Sequence, residues 1–124
     1  MGTIRNESQM ISVRRGEVYD VMPALSVGKE IQKKRPCAVV SSNTVNDHAG
    51  LVVVCPITEG PGLPADLIHI AVGKGEGGTT KDSIVLCEQI KAVDQDRLME
   101  KRGNLKAETM QKIDKGLRAV LNLH

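Results

Sequence analysis

Within Gly28-Lys29-Glu30-Ile31-Gln32-Lys33-Lys34-Arg35-Pro36, four cations stand in seven residues immediately before an aliphatic run. A charge run is ordinarily a solvated loop. On a chain of net charge only +2, however, a loop rich in Lys and Arg also suits phosphate contacts, the main source of nucleic-acid affinity. Arg35 is the distinctive member, because Pro36 biases it toward extended backbone at the mouth of a strand. A guanidinium held there can bridge two phosphate oxygens. Glu88 is a second candidate. Alternation through Ile84-Val85-Leu86-Cys87-Glu88-Gln89-Ile90 puts it on the face of Ile84, Leu86 and Ile90, where a carboxylate needs an Arg partner or a pocket unless a bulge turns it to solvent. Thr58, directly after Pro56-Ile57 at a strand end, suits a turn as well as a site.

Other chemistries fail on spacing or context. Gly73-Lys74-Gly75-Glu76-Gly77-Gly78 matches the dinucleotide fingerprint, but Thr79-Thr80-Lys81-Asp82 and the strand Ser83-Ile84-Val85-Leu86 follow it. No helix N-terminus is available there for a pyrophosphate, and the segment reads as a flexible hairpin loop. His48, His69 and His124 have no second His or Cys at ligand spacing, so no metal site and no cofactor are expected. There is no G-x-S-x-G elbow, and no companion signature for a Cys nucleophile. Tyr19 is the only aromatic residue of the 124, which argues against a surface that binds single strands by stacking.

The elements that must position these residues are short. After a polar leader, runs rich in Val and Ile occupy Glu17–Met22, Pro36–Ser42, Leu51–Ile57, Asp66–Val72 and Ser83–Val93, each near strand length. Turn chemistry separates them at Asn43–Gly50, Glu59–Pro64 and Gly73–Gly78. With no helical stretch between successive strands, an antiparallel barrel or sandwich is predicted rather than a parallel sheet. Asp94 is read as capping a short turn through Arg97, Leu98 and Met99 that ends near Gly103. Met110, Ile113, Leu117, Val120 and Leu121 then recur at helical spacing. Gly116 inside that helix costs about 1 kcal/mol against Ala, so the helix must depend on packing against the sheet.

Forty per cent of the residues are hydrophobic and 26% charged, as in one globular domain. Residues 1–12 are expected to be a flexible leader and 13–124 a single domain. The longest apolar run, Leu51–Ile57, falls far short of the roughly 20 residues a membrane-spanning helix needs. Cys37, Cys55 and Cys87 are odd in number, widely spaced and set in aliphatic runs, which suits buried thiols in a reducing, cytoplasmic compartment.

Four pieces in order carry a family likeness: Arg15-Gly16-Glu17-Val18-Tyr19; Gly28-Lys29-Glu30 with Arg35-Pro36; Pro56-Ile57-Thr58; and Asp82-Ser83-Ile84-Val85-Leu86-Cys87-Glu88-Gln89-Ile90-Lys91 through Asp94. From about Arg14 to Leu123 the chain resembles the MazF/PemK toxins. The resemblance implies a small SH3-like antiparallel β-barrel of the CcdB/PemK type with a C-terminal helix, acting as a homodimer. It also implies a sequence-specific endoribonuclease that cuts single-stranded mRNA without metal, leaving 2′,3′-cyclic phosphate and 5′-hydroxyl ends, and that a cognate antitoxin neutralises.

On this resemblance the catalytic arginine falls on Arg35 and the catalytic threonine on Thr58, with Glu30 as candidate base. Lys29, Gln32, Lys33, Lys34, Asn43, Glu88 and Gln89 are the expected RNA contacts. Three features depart from the pattern. Ile31, Gln32, Lys33 and Lys34 bulk and charge the loop over the site, the segment between Pro23 and Gly28 is about two residues longer than usual, and Lys106 stands where a helix-capping Asp is common, predicting a less sharply begun final helix. The alternatives are a CcdB-like gyrase-binding toxin, against which Arg35-Pro36 and Pro56-Ile57-Thr58 argue, and a noncatalytic RNA-binding module, which the lack of aromatics disfavours.

Overall fold

A computed structural model describes residues 12–23, 34–60 and 64–124. Among these residues seven strands and two α-helices follow in the order β1 (Glu17–Val21), β2 (Arg35–Val39), α1 (Asn43–His48), β3 (Leu51–Glu59), β4 (His69–Val72), β5 (Ser83–Leu86), β6 (Lys91–Asp94), β7 (Leu98–Asn104) and α2 (Ala107–Leu121). All pairings are antiparallel, with strand order β4-β5-β3-β2-β1-β7 and β6 also paired to β3. The expected mainly β fold with a C-terminal helix is therefore present. The ladder is open, with β4 and β7 as its two ends among the described residues. Those ends meet through the glycine turn at Glu76–Gly78, where the Gly78 carbonyl accepts from Arg102 Nη2 at 3.0 Å. Gly78 has φ +75°, and a Cβ there would stand 2.2 Å from the Arg102 carbonyl oxygen. The segment read as a flexible loop is a turn packed against β7.

Three local readings need correction. Ser83–Val93 is not one strand: Cys87–Gln89 forms a 3-10 turn, so the edge of β3 pairs first with β6 through Leu51–Val54 and then with β5 through Ile57–Glu59. Asn43–Gly50 is not merely a turn, because Ser42 Oγ accepts from Val45 N at 3.3 Å and starts α1. A short cap does not extend to Gly103 either. The 3-10 turn stops at Arg97, and Leu98–Asn104 pairs with β1. That strand carries Glu100, Lys101 and Arg102 and little β-branched character, a composition suited to a charged edge and silent in a hydrophobicity reading.

The strand period of two divides the apolar residues between two faces. One cluster joins Val18, Ala38, Cys55, Ile57 and Val85 to Met110 and Ile113 of α2. The other contains Val13, Tyr19, Val21, Cys37, Val39, Val52, Val54 and Val93. Tyr19 is only 3% exposed and donates its hydroxyl to Glu17 Oε1 at 3.1 Å, so the single ring is core. Cys37, Cys55 and Cys87 are buried free thiols, as expected.

Helix α2 begins without a side-chain cap of its own, since Lys106 occupies the N-cap. Glu76 supplies the missing acceptor from the glycine turn: its Oε2 lies 3.0 Å from Lys106 N and 2.6 Å from Thr109 Oγ1. This is the reciprocal half of a capping box provided by a distant residue. Gly116 has an equally concrete reason. A Cβ there would stand 2.9 Å from Cys87 Sγ and from the Leu67 carbonyl oxygen, so its absence lets the helix reach the sheet.

Candidate active site

Arg35 opens β2 and is paired with Val21 of β1, while Pro36 behind it faces Asp20. On its other side β2 pairs with β3 through Cys37–Pro56, Ala38–Cys55 and Val39–Val54. The ladder ends at Cys37–Pro56; extended two residues beyond that pair, the same register aligns Arg35 with Thr58, whose paired residue on the other edge of β3 is Ile84 of β5. Both residues alternate with members of the second cluster, Arg35 with Cys37 and Val39, and Thr58 with Val54 and Val52 two strand repeats away. They therefore share a sheet face and lie at the same end of neighbouring strands.

Arg35 is exposed and Thr58 partly so. Among the described residues neither the guanidinium nor the hydroxyl has a hydrogen-bonding or ionic partner, whereas most charged neighbours are engaged. Lys34 Nζ is 3.8 Å from Asp20 Oδ2, and Arg102 Nη1 is 3.5 Å from Asp20 Oδ1. Lys101 Nζ is 2.7 Å from Glu17 Oε2. Burial raises the Glu17 pKa, but Lys101, the Arg14 amide and the Tyr19 hydroxyl together hold it below its ordinary value. Arg97 donates to the Met22 carbonyl through Nε at 3.0 Å and through Nη2.

Lys29, Glu30, Gln32 and Lys33 lie outside the described residues. Asn43 sits past the far end of β2, where its Oδ1 accepts from Arg15 N at 2.7 Å and Asn46 Nδ2 at 3.2 Å. It ties α1 to the turn ahead of β1 and is not brought to Arg35. Glu88 and Gln89 are exposed in the 3-10 turn beside α2. The turn thus removes Glu88 from the apolar face that strand alternation assigned to it.

Glu88 has a partner that sequence spacing did not disclose. Its Oε2 is 3.0 Å from His69 Nε2, and His69 Nδ1 is 3.0 Å from Asp66 Oδ2. Asp66 also accepts from the Ile68 and His69 amides at 3.0 and 2.9 Å. Hydrogen bonds to Glu88 and then Asp66 raise the His69 pKa, and the His69 bond is the leading cause of the lowered values of both carboxylates. The two imidazole nitrogens face different carboxylates, so the group is a clamp between the start of β4 and the 3-10 turn. Asp66-x-x-His69 was visible locally, but the match to Glu88 is made only by the fold. Beside it a cleft of about 270 Å³ is lined by Leu67, Ile70, Lys112 and Lys115.

A family model described as PemK-like, MazF-like toxin of type II toxin-antitoxin system matches residues 14–121. The chain is 33% identical over 114 residues to the endoribonuclease MazF of Staphylococcus epidermidis, covering 90% of this chain and 93% of the relative. Among solved structures, an endoribonuclease in complex with its cognate antitoxin from a mycobacterial species superposes with TM-score 0.71 at 25% identity, covering 93% of this chain and 98% of that one. A MazE–MazF crystal structure from Deinococcus radiodurans gives TM-score 0.77 at 19% identity, covering 93% and 100%, and supports the fold alone.

Proposed function

Because the chain belongs to the PemK-like, MazF-like toxins of type II toxin-antitoxin systems, we propose that it cuts single-stranded mRNA at short sequences without metal, using the substrate's own 2′-hydroxyl as nucleophile. Attack of that hydroxyl on the adjacent phosphorus, with loss of the 5′-oxygen, leaves a 2′,3′-cyclic phosphate and a 5′-hydroxyl. The protein must then remove one proton, deliver another and stabilise a doubly charged phosphorane.

The observation that carries this reading is that Arg35 and Thr58 share one face at one end of neighbouring strands and, among the described residues, are uncommitted to other groups. Arg35 remains protonated, which suits charge stabilisation and proton donation to the leaving oxygen rather than service as a base. The Thr58 hydroxyl holds a nonbridging oxygen or orients the nucleophile. Glu30, a carboxylate within the cationic loop sequence, is the base we assign. Lys29, Gln32, Lys33, Lys34, Asn43, Glu88 and Gln89 are the assigned RNA contacts. With Tyr19 buried, these contacts rest on charge and hydrogen bonding rather than stacking. The assembly we propose is a cytoplasmic homodimer neutralised by a cognate antitoxin, a partner class represented by the mycobacterial complex.

The test is incubation with a long single-stranded RNA in excess EDTA, alongside Arg35→Ala and Thr58→Ala, with analysis of the product ends. Discrete cuts bearing cyclic phosphate are expected. Each substitution should lower the rate about 10² to 10³-fold, the effect of removing one oriented oxyanion donor. Absence of cleavage by folded wild type across several RNAs would favour gyrase binding or noncatalytic RNA binding. Cleavage that survives Arg35→Ala would overturn the mechanism.

A further inference from the structure

The sheet ends at β4, and its pairing with β5 occupies one side of that strand only. The Ile68 carbonyl accepts from Cys87 N at 3.0 Å. Because antiparallel pairs alternate between bonded and nonbonded, Ile70 and Val72 then bond to β5, while His69 and Ala71 point their backbone groups outward. The chain closes that outer edge at His69, whose N–H donates to Asp66 Oδ1 at 2.9 Å and whose carbonyl accepts from Asp66 N at 2.9 Å. Past the strand, the Gly73 carbonyl accepts from Glu76 N and Thr79 Oγ1. Ala71, exposed between the two, has no partner for its outward N–H or carbonyl among the described residues.

The cleft of about 270 Å³ lies along this opening. Its lining includes His69, Ile70 and Ala71 in succession, and consecutive strand residues face opposite sides of a sheet, so the cleft follows the strand edge rather than one face. Ala65 and Leu67, the latter 61% exposed, give it an apolar wall. Lys112 and Lys115, about one turn apart on α2, stand opposite. Neither ammonium has an ion pair among the described residues. Ile113 of the same helix packs in one cluster with Ile70 and Val72, which puts both lysines beside the Ile70 face of β4.

We propose that the edge of β4 takes an extended peptide segment of a partner protein as an added strand, and that this segment carries an aliphatic and an acidic residue on either side of the one that meets Ala71. That central residue exchanges both backbone hydrogen bonds with Ala71. Its two neighbours then project to the Ile70 face, the aliphatic one against Leu67 and Ile70 and the acid toward Lys112 and Lys115. An RNA backbone suits the edge less well, because its regularly spaced phosphates would also pass Asp66 and Glu88, whereas a peptide sets its acid on one face only. Strand addition here does not depend on whether the chain is a ribonuclease.

The test is NMR of the isotope-labelled full chain titrated with the end-capped peptide Thr-Leu-Thr-Glu-Thr, which presents Leu and Glu on one face in either direction. The amides of Ala71, Lys112 and Lys115 should shift, with a Kd of about 1 mM. N-methylation of the central Thr should weaken binding about fivefold, the loss of one net hydrogen bond, with the protein left unaltered. Lys in place of Glu should weaken it by a similar factor, and the double variant Lys112→Glu, Lys115→Glu should reverse that preference. Ala71→Pro removes an outward N–H and keeps the bonds to β5, so it should abolish binding by a domain that urea unfolding shows to be folded.

An Ala71 amide unmoved by the peptide at about 10 mM would overturn the inference, as would equal binding of the N-methylated and unmodified peptides. Shifts at Ala71 that grow with protein concentration alone would make the occupant a second copy of the chain. Shifts produced by single-stranded RNA and not by the peptide would make it nucleic acid, and either result overturns the proposal.

Discussion

Replacing Glu76 by Ala removes the carboxylate that closes the start of α2 from outside the helix. Two hydrogen bonds go with it, from Lys106 N at 3.0 Å and Thr109 Oγ1 at 2.6 Å. Loss of a capping acceptor costs about 1 kcal/mol. Thr109 is 7% exposed, so leaving its hydroxyl without this partner costs about 1 kcal/mol more. The total, about 2 kcal/mol, corresponds to a fall in Tm of roughly 8 °C for a domain of this size.

Chemical unfolding in urea measures the loss, and a cycle with Thr109→Val identifies its origin. Thr109→Val alone should cost about 1 kcal/mol, and the double variant should be no less stable than Glu76→Ala, a coupling of about 1 kcal/mol. Hydrogen exchange at the Lys106 amide should accelerate in Glu76→Ala and not in Thr109→Val. Additivity within about 0.3 kcal/mol, or a Glu76→Ala cost below about 0.5 kcal/mol, would refute the argument that this distant carboxylate caps the helix.

Gly116→Ala should destabilise by about 1 to 3 kcal/mol despite its better helix propensity, because the new methyl meets Cys87 Sγ and the Leu67 carbonyl at 2.9 Å; a rise in Tm would contradict this packing. The His69 clamp should give stability a pH dependence that His69→Gln lacks. His69 has a raised folded pKa, so its contribution is complete below about pH 6.5 and fades as pH rises through the folded value. Asp66 and Glu88 have lowered values, so theirs is present above about pH 4 and fades as pH falls through the folded values. The difference between wild type and His69→Gln should accordingly peak between those limits even with Lys112 and Lys115 nearby, and a pH-independent difference in urea titrations would count against the clamp. Finally, all three thiols are buried and Cys37 is pushed up to about 11, so the native protein should resist an aromatic disulfide reagent at pH 8 and react fully once unfolded; rapid labelling of any thiol in the folded state would show a more open core.

What the sequence determined by itself are features whose cause is local. Runs of Val and Ile of strand length place β1, β2, β3 and β4 because period-two burial is written in adjacent residues. The apolar positions of α2 are legible for the same reason, Met110 and Ile113 being buried at helical spacing. Arg35-Pro36 and Pro56-Ile57-Thr58 mark the candidate catalytic pair from single short segments. Charged β7 was invisible because an edge strand is selected by its partner's free backbone groups, not by its own hydrophobicity.

Only the tertiary structure decided matters between segments distant in the chain. It divides Ser83–Val93 at a 3-10 turn, since one edge of β3 must serve both β5 and β6. Glu88 is thereby turned toward His69, nineteen residues away, and Asn43 is committed to the Arg15 backbone. It gives Lys106 its missing cap from Glu76 and gives Gly116 its reason in Cys87. It also aligns Arg35 with Thr58 and leaves Ala71 at the open edge of β4. Sequence periodicity assigns a side chain to a face within one element, whereas the register between strands determines which side chains share that face across the sheet.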